Sequence, residues 1–186
     1  MFRALVFVIL DSGFIPRCAL EVSDTAQVRI HTITNIISEC RYGIHDISRS
    51  ELDPEYSLPR FNMPLELGIF LGCRKFGGRL HRSKACLVFD REKYRYQKFI
   101  SDIAGQNVQS HDGLPATAVR GVRDFLRTAS GQTNIPGGAK IWERYDAFQN
   151  ALPTLCKTLK IRLDELTFLD LTHLITEWLR QVAPQG

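Results

Sequence analysis

The chain has 186 residues, 44% of them hydrophobic and 24% charged, with a formal net charge of +4. These values predict a folded globular protein of about one domain's length, and exclude a disordered or collagen-like chain. The basic residues are spread along the sequence, so the mild positive charge permits an anionic ligand without marking a specific nucleic-acid surface.

Taken in chain order, the apolar run Ala4–Leu10 comes first. It is too short for a membrane span, which needs roughly 20 residues. Ser12-Gly-Phe-Ile-Pro-Arg17 offers no small-x-small cleavage site, so the expected location is the cytoplasm, with no membrane partner. Residues 2–12 suit a buried helix closed by Gly13 or a buried strand, with the helix preferred. Residues 14–22 read as a strand, at a sheet edge because of Pro16. Ser23-Asp24 would cap a helix running to about Arg41, with Val28, Ile33, Ile36, Ile37 and Cys40 inward.

Gly43–Ile47 reads as a short buried strand with Asp46 at its carboxyl end. The polar loop from Ser48 to Arg60, which contains Glu51, Asp53, Pro54 and Glu55, is either a solvated connection or a lid over a ligand. Asn62-Met63-Pro64 reads as a helix start, with Asn62 as the cap and the helix running to about Lys75. Glu66 is the single charged residue in Met63–Gly72, and a carboxylate there costs desolvation unless something uses it. A basic loop containing His81-Arg82-Ser83-Lys84, a candidate phosphate contact, leads into Ala85–Phe89. That run reads as an interior parallel strand ending at Asp90.

Residues 94–104 read as an amphipathic helix, Val108 as the start of a short strand, His111-Asp112-Gly113 as a turn and residues 116–128 as a helix. Gly131–Gly138 is a breaker segment. Two helices follow, 139–160 with Pro153 inside it, and 163–182 with Leu163, Leu166, Leu171, Leu174, Ile175, Trp178 and Val182 inward. Trp142, Tyr145 and Trp178 are packing residues of this region. His45, opposite in strand phase to Asp46, reads as a satisfied core or interface histidine. The five cysteines are widely spaced without a zinc pattern, so free thiols and no metal site are expected.

Alternating strands and helices predict an α/β fold, a three-layer flavodoxin-like parallel sheet with helices on both faces, plus C-terminal helices. The domain would span 1–130, followed by a Gly/Pro linker at 131–138 and a helical extension over 139–186 packed on the same domain. In such sheets ligands bind beyond the carboxyl ends of the strands, which brings Asp46, Glu66 and Asp90 toward one edge.

The pattern of a strand ending in Asp46-Ile-Ser48, a loop, Asn62-x-x-x-Glu66-Leu-Gly68 and then a buried strand resembles the nucleoside 2-deoxyribosyltransferase-like and TIR-like superfamily. More narrowly it is similar to a bacterial group of TIR-like nucleotide-binding proteins. The resemblance covers roughly residues 2–128. It implies that Glu66 acts at the anomeric carbon of a ribosyl group, while Asp46 binds sugar hydroxyls or assists proton transfer. Asn62, Ser48, Asp90 and Arg60 would then contact the substrate.

The implied activity is N-glycosidic cleavage of NAD or a related nucleotide, with no separate cofactor and with self-association of the chain. The alternative is a nucleotide-sensing module or a protein-interaction domain without chemistry. A helix at residues 2–12 would leave the superfamily's first strand without a counterpart, and no GxGxxG or Walker pattern occurs.

Overall fold

The computed structural model describes residues 1–52, 55 and 57–182. The chain divides into two compact units, Asp24–Thr117 and Met1–Ser23 together with the chain from Ala118 onward. Among the described residues there are six α-helices and one sheet of three parallel strands. The α/β class is as the strand–helix alternation predicts.

The Asp24–Thr117 unit carries the sheet. Strand β1 (Tyr42–Asp46) pairs in parallel with β2 (Ala85–Asp90), which pairs in parallel with β3 (Gln109–Ser110). The order is β1-β2-β3, with Gly43 opposite Cys86 and His45 opposite Val88. Two helices belong here, α2 (Arg29–Glu39) and α3 (Asn62–Phe76), which pack on each other, with α3 also against β1. Side chains alternate across a strand. Ile47 and Val88 therefore share a face and form a core with Leu67 of α3, Tyr96 and Ile103, flanked by Met63, Leu71 and Val108.

Gly43 is required by packing. A Cβ there would stand 2.7 Å from His45 Nε2 and 2.8 Å from the Phe70 ring. The α2 C-terminus is closed by a buried lysine: Lys84 Nζ donates to Ile37 O at 2.5 Å, to Ser38 O at 3.2 Å and to Cys40 O. Lys84 is thus occupied with helix carbonyls that have no partner within the helix.

His45 is buried against Phe70, with ring centroids 5.2 Å apart, and neither ring nitrogen has a hydrogen-bond partner. The expected satisfied histidine is therefore an unsatisfied one, because strand β1 and the Phe70 ring enclose it with apolar atoms and no acceptor. Burial lowers its pKa from 6.5 to about 4. Between those values the unfolded chain binds the proton and the folded chain resists it, so stability falls as pH drops through this window. The total loss is about 3 kcal/mol. Urea midpoints measured from neutral pH downward should fall more steeply for the native chain than for His45→Leu. Equal slopes would show that other groups control the acid response.

The remaining unit is helical. Helix α1 (Phe2–Asp11) packs on α5 (Gly138–Thr158) and α6 (Phe168–Val182), and α5 also packs on α6. Phe7 lies at the centre, its ring 5.5 Å from Tyr145, 5.5 Å from Phe148 and 6.0 Å from Trp178. The helical reading of residues 2–12 and the packing roles of Tyr145 and Trp178 hold. Helix α4 (Pro115–Ser130) buries Ala118, Val119, Val122 and Leu126.

Several predicted boundaries move, each for a local reason. Residues 14–22 form no strand; a single 3-10 turn at Ala19–Glu21 carries an Arg17–Glu21 ion pair. Helix α2 starts at Arg29 because Asp24 Oδ1 accepts the Ala26 N–H at 2.9 Å, holding Asp24 in a turn. Of its predicted inward stripe, Ile33 and Ile37 are buried but Val28 is exposed.

The cap of α3 is Phe61, whose carbonyl accepts the first helical bond from Leu65, so Asn62 is not the cap. The expected helix over 94–104 is two 3-10 turns, Arg95–Lys98 and Ser101–Ile103, since Tyr94 takes φ +63 and Ile100 leaves the helical region at φ −146, ψ 60. Helix α6 begins at Phe168 because Thr167 and Asp170 cap each other. The Thr167 N–H donates to Asp170 Oδ2 at 3.0 Å and the Asp170 N–H to Thr167 Oγ1 at 3.1 Å. Leu163 falls outside the helix and is exposed.

Candidate functional site

The carboxyl edge of the sheet collects Asp46, Ser48, Asp90, Arg95 and His111. Strand β1 delivers Asp46 there, and the chain turns immediately, with the Ser48 N–H donating to Asp46 Oδ1 at 3.0 Å. His111 follows β3, and its Nε2 lies 3.3 Å from the same Asp46 oxygen. Its Nδ1 accepts the Gly113 N–H at 3.0 Å. In the neutral ring the proton therefore sits on Nε2 and donates to Asp46. The turn that supplies this N–H needs left-handed backbone at Asp112 (φ 53) and Gly113 (φ 75), which glycine adopts without penalty.

His111 is buried, its ring 5.8 Å from that of Phe89. The Asp46 side chain keeps 23% of its surface accessible. This is a carboxylate with one oxygen fixed by two donors and part of its surface open to a ligand.

Asp90 is fully buried, one strand over. Its Oδ1 accepts from the Arg91 N–H at 2.7 Å and from Arg95 Nε and NH2 at 2.9 and 2.5 Å. Arg95 NH2 also donates to Ser48 O at 2.9 Å, and the guanidinium lies over the Phe99 ring at 5.1 Å. Arg95 thus ties the end of β2 to the turn after β1. At the rim, Arg91 pairs with Glu51 at 2.9 Å. Leu52 bridges Pro59 in antiparallel fashion, closing the loop that begins at Ser48. Asp53, Pro54 and Tyr56 of that loop lie outside the described residues.

Glu66 is half-buried on α3, the helix that packs on β1. It occupies the second turn of α3, where the helix N-terminus does little to hold it ionised. Burial pushes its pKa up, opposed by the Arg29 charge at the start of α2. Asn62 is exposed at the start of α3 and Arg60 is exposed two residues before it.

The structure therefore joins Asp46, Ser48 and Asp90 through His111 and Arg95, while the charge that acts on Glu66 comes from α2. Neither His111 nor Arg95 stands out in the sequence. His111 had one signal, its place in a His-Asp-Gly turn directly after a short strand. Arg95 lies in a segment that reads as an ordinary amphipathic helix.

Among the described residues no cluster of His, Cys, Asp or Glu is arranged to hold a metal ion, and all five cysteines are free thiols. No described helix is long and apolar enough to cross a membrane. The chain matches no protein-family model, no curated protein and no solved structure.

Proposed function

We propose that this chain binds a nucleotide or dinucleotide at the carboxyl edge of its sheet and hydrolyses an N-glycosidic bond, with the nicotinamide–ribose bond of NAD as the leading substrate. The observation that carries this reading is the Asp46 carboxylate, held by Ser48 and His111 yet still accessible where parallel sheets bind ligands. In the reaction the C1′–N bond breaks with its electron pair going to the pyridine nitrogen, and positive charge develops on the ribose ring. Water then supplies hydroxide to C1′ and gives its proton to a carboxylate.

Asp46 is suited to bind ribose hydroxyls, and the proposed role of Glu66 is to stabilise the oxocarbenium ion. Burial also pushes the Glu66 pKa up, the direction that favours proton uptake by this carboxylate during the reaction. Ser48, Asn62, Arg60 and Asp90 are the proposed surrounding contacts, Asp90 acting through Arg95. Arg29 favours a second reading, a nucleotide-sensing module without turnover, because its charge gives Glu66 a structural role.

Nicotinamide release from NAD by the purified chain tests both. Glycosidase action predicts release that falls about 100-fold or more in Asp46→Asn and in Glu66→Gln. Release unchanged in both variants would remove these carboxylates from the chemistry. NAD binding by calorimetry without release would establish the sensing module.

A further inference from the structure

The segment that joins α3 to β2 carries positive charge with no acidic residue to offset it. From Leu67 to Phe89 the sequence holds Arg74, Lys75, Arg79, Arg82 and Lys84 and neither Asp nor Glu. Lys84 is buried and engaged with the α2 carbonyls. Arg74, Lys75, Arg79 and Arg82 are exposed, and among the described residues none of the four makes an ion pair. The two most exposed large apolar side chains of the described residues lie in the same stretch, Phe76 at 86% and Leu80 at 88% accessible.

The backbone of this stretch is held by its own hydrogen bonds. The Gly77 N–H donates to Cys73 O at 2.9 Å, the His81 N–H to Gly78 O at 3.0 Å and the Lys84 N–H to His81 O at 3.1 Å. Gly77 is required, since a Cβ there would stand 2.3 Å from Cys73 O. A 3-10 turn, Arg79–His81, follows it. Phe76 and Leu80 are thus presented to solvent from the end of a helix and from a bonded turn.

Charge alone would serve solubility, but a phenylalanine and a leucine left almost wholly in water expose apolar area that burial would stabilise. A partner that covers this stretch must offer anionic groups to the four cations and an apolar compartment to these two side chains. The phosphate backbone of a nucleic acid supplies the first and has no place for an aliphatic leucine. An anionic lipid surface supplies both, headgroups for Arg and Lys and the headgroup–acyl boundary for apolar side chains. We infer that Arg74–Arg82 docks the chain on an anionic phospholipid surface, with Phe76 and Leu80 entering the headgroup layer among the four cations. This is contact at the surface, which needs no spanning helix. The stretch leads into β2 at its amino end, whereas Asp46 stands at the carboxyl edge of the sheet, so the inference does not rest on the reading of that edge.

Co-sedimentation of the full chain with vesicles of phosphatidylcholine, alone or mixed with phosphatidylserine, tests the inference. The chain should bind the mixed vesicles, leave them as salt is raised and ignore the neutral ones. The double change Arg79→Gln with Arg82→Gln should weaken binding about 10-fold or more. Leu80→Gln should weaken it about 10-fold. Both variants alter exposed side chains, and an unchanged circular dichroism spectrum would show that the fold is kept. No binding to the mixed vesicles, equal binding to the neutral ones, or full binding by Leu80→Gln would each overturn the assignment. So would tighter binding to a DNA or RNA oligonucleotide that Leu80→Gln leaves intact, which would make the stretch a nucleic-acid contact.

Discussion

Replacing Arg95 by methionine is expected to destabilise the protein by about 3–5 kcal/mol, the usual cost of stranding one member of a buried ion pair. Asp90 is fully buried, and its Oδ2 already lacks a partner. Loss of Arg95 would remove both guanidinium bonds from Oδ1, leaving the Arg91 N–H as its donor. It would also release the Ser48 carbonyl and so loosen the turn that orients Asp46. The double change Asp90→Leu with Arg95→Met should recover much of the loss, because it removes the orphaned charge as well. Urea unfolding of the three variants measures this. A single-variant loss under about 1 kcal/mol would mean that the pair behaves like an exposed one. Stability recovered without NAD binding or turnover would separate the structural role of Asp90 from its place at the sheet edge.

Phe7→Ala should cost about 3–5 kcal/mol, the range for deleting a large aromatic from a packed core. Phe7 is wholly enclosed and touches the rings of Tyr145, Phe148 and Trp178, so one truncation loosens α1 from both α5 and α6. Thermal unfolding followed by tryptophan fluorescence is a suitable readout, since Trp178 borders the Phe7 ring. A loss below about 1 kcal/mol would show that the neighbouring rings close over the space.

These two sites differ in how far they could be read from residues alone. The apolar run at Ala4–Leu10 already marked α1 as buried, because a solvent-facing helix would need a polar side. The aromatic residues of α5 and α6 were equally legible as packing groups. Strands β1 and β2 were legible too, as short apolar runs each closed by an aspartate.

What escaped was set by partners distant in sequence or by backbone details at single residues. The helix expected over 94–104 fails at Tyr94 and Ile100, where the backbone leaves helical geometry so that Tyr96 and Ile103 can both enter the core. The cap expected at Ser23-Asp24 is lost to a competing turn. The lone glutamate of an apolar run, Glu66, drew attention as a site. Its ionisation is set by burial and by Arg29, thirty-seven positions earlier, which only packing of α2 on α3 brings near.

By itself, then, the sequence determined the α/β class, the two main parallel strands, the position of Asp46 at a strand's carboxyl end and the presence of three helices between Pro115 and Val182. Hydrophobic period and strand length are local properties, and local spacing suffices to read them. The tertiary structure alone decided that Asp46 is backed by His111, that Asp90 is spent on Arg95, that Lys84 closes α2 and that Asp11 is paired with Arg144. Each of these joins groups whose charge or hydrogen-bonding capacity is defined by burial and by partners from other elements, and neither is encoded in the spacing of neighbouring residues.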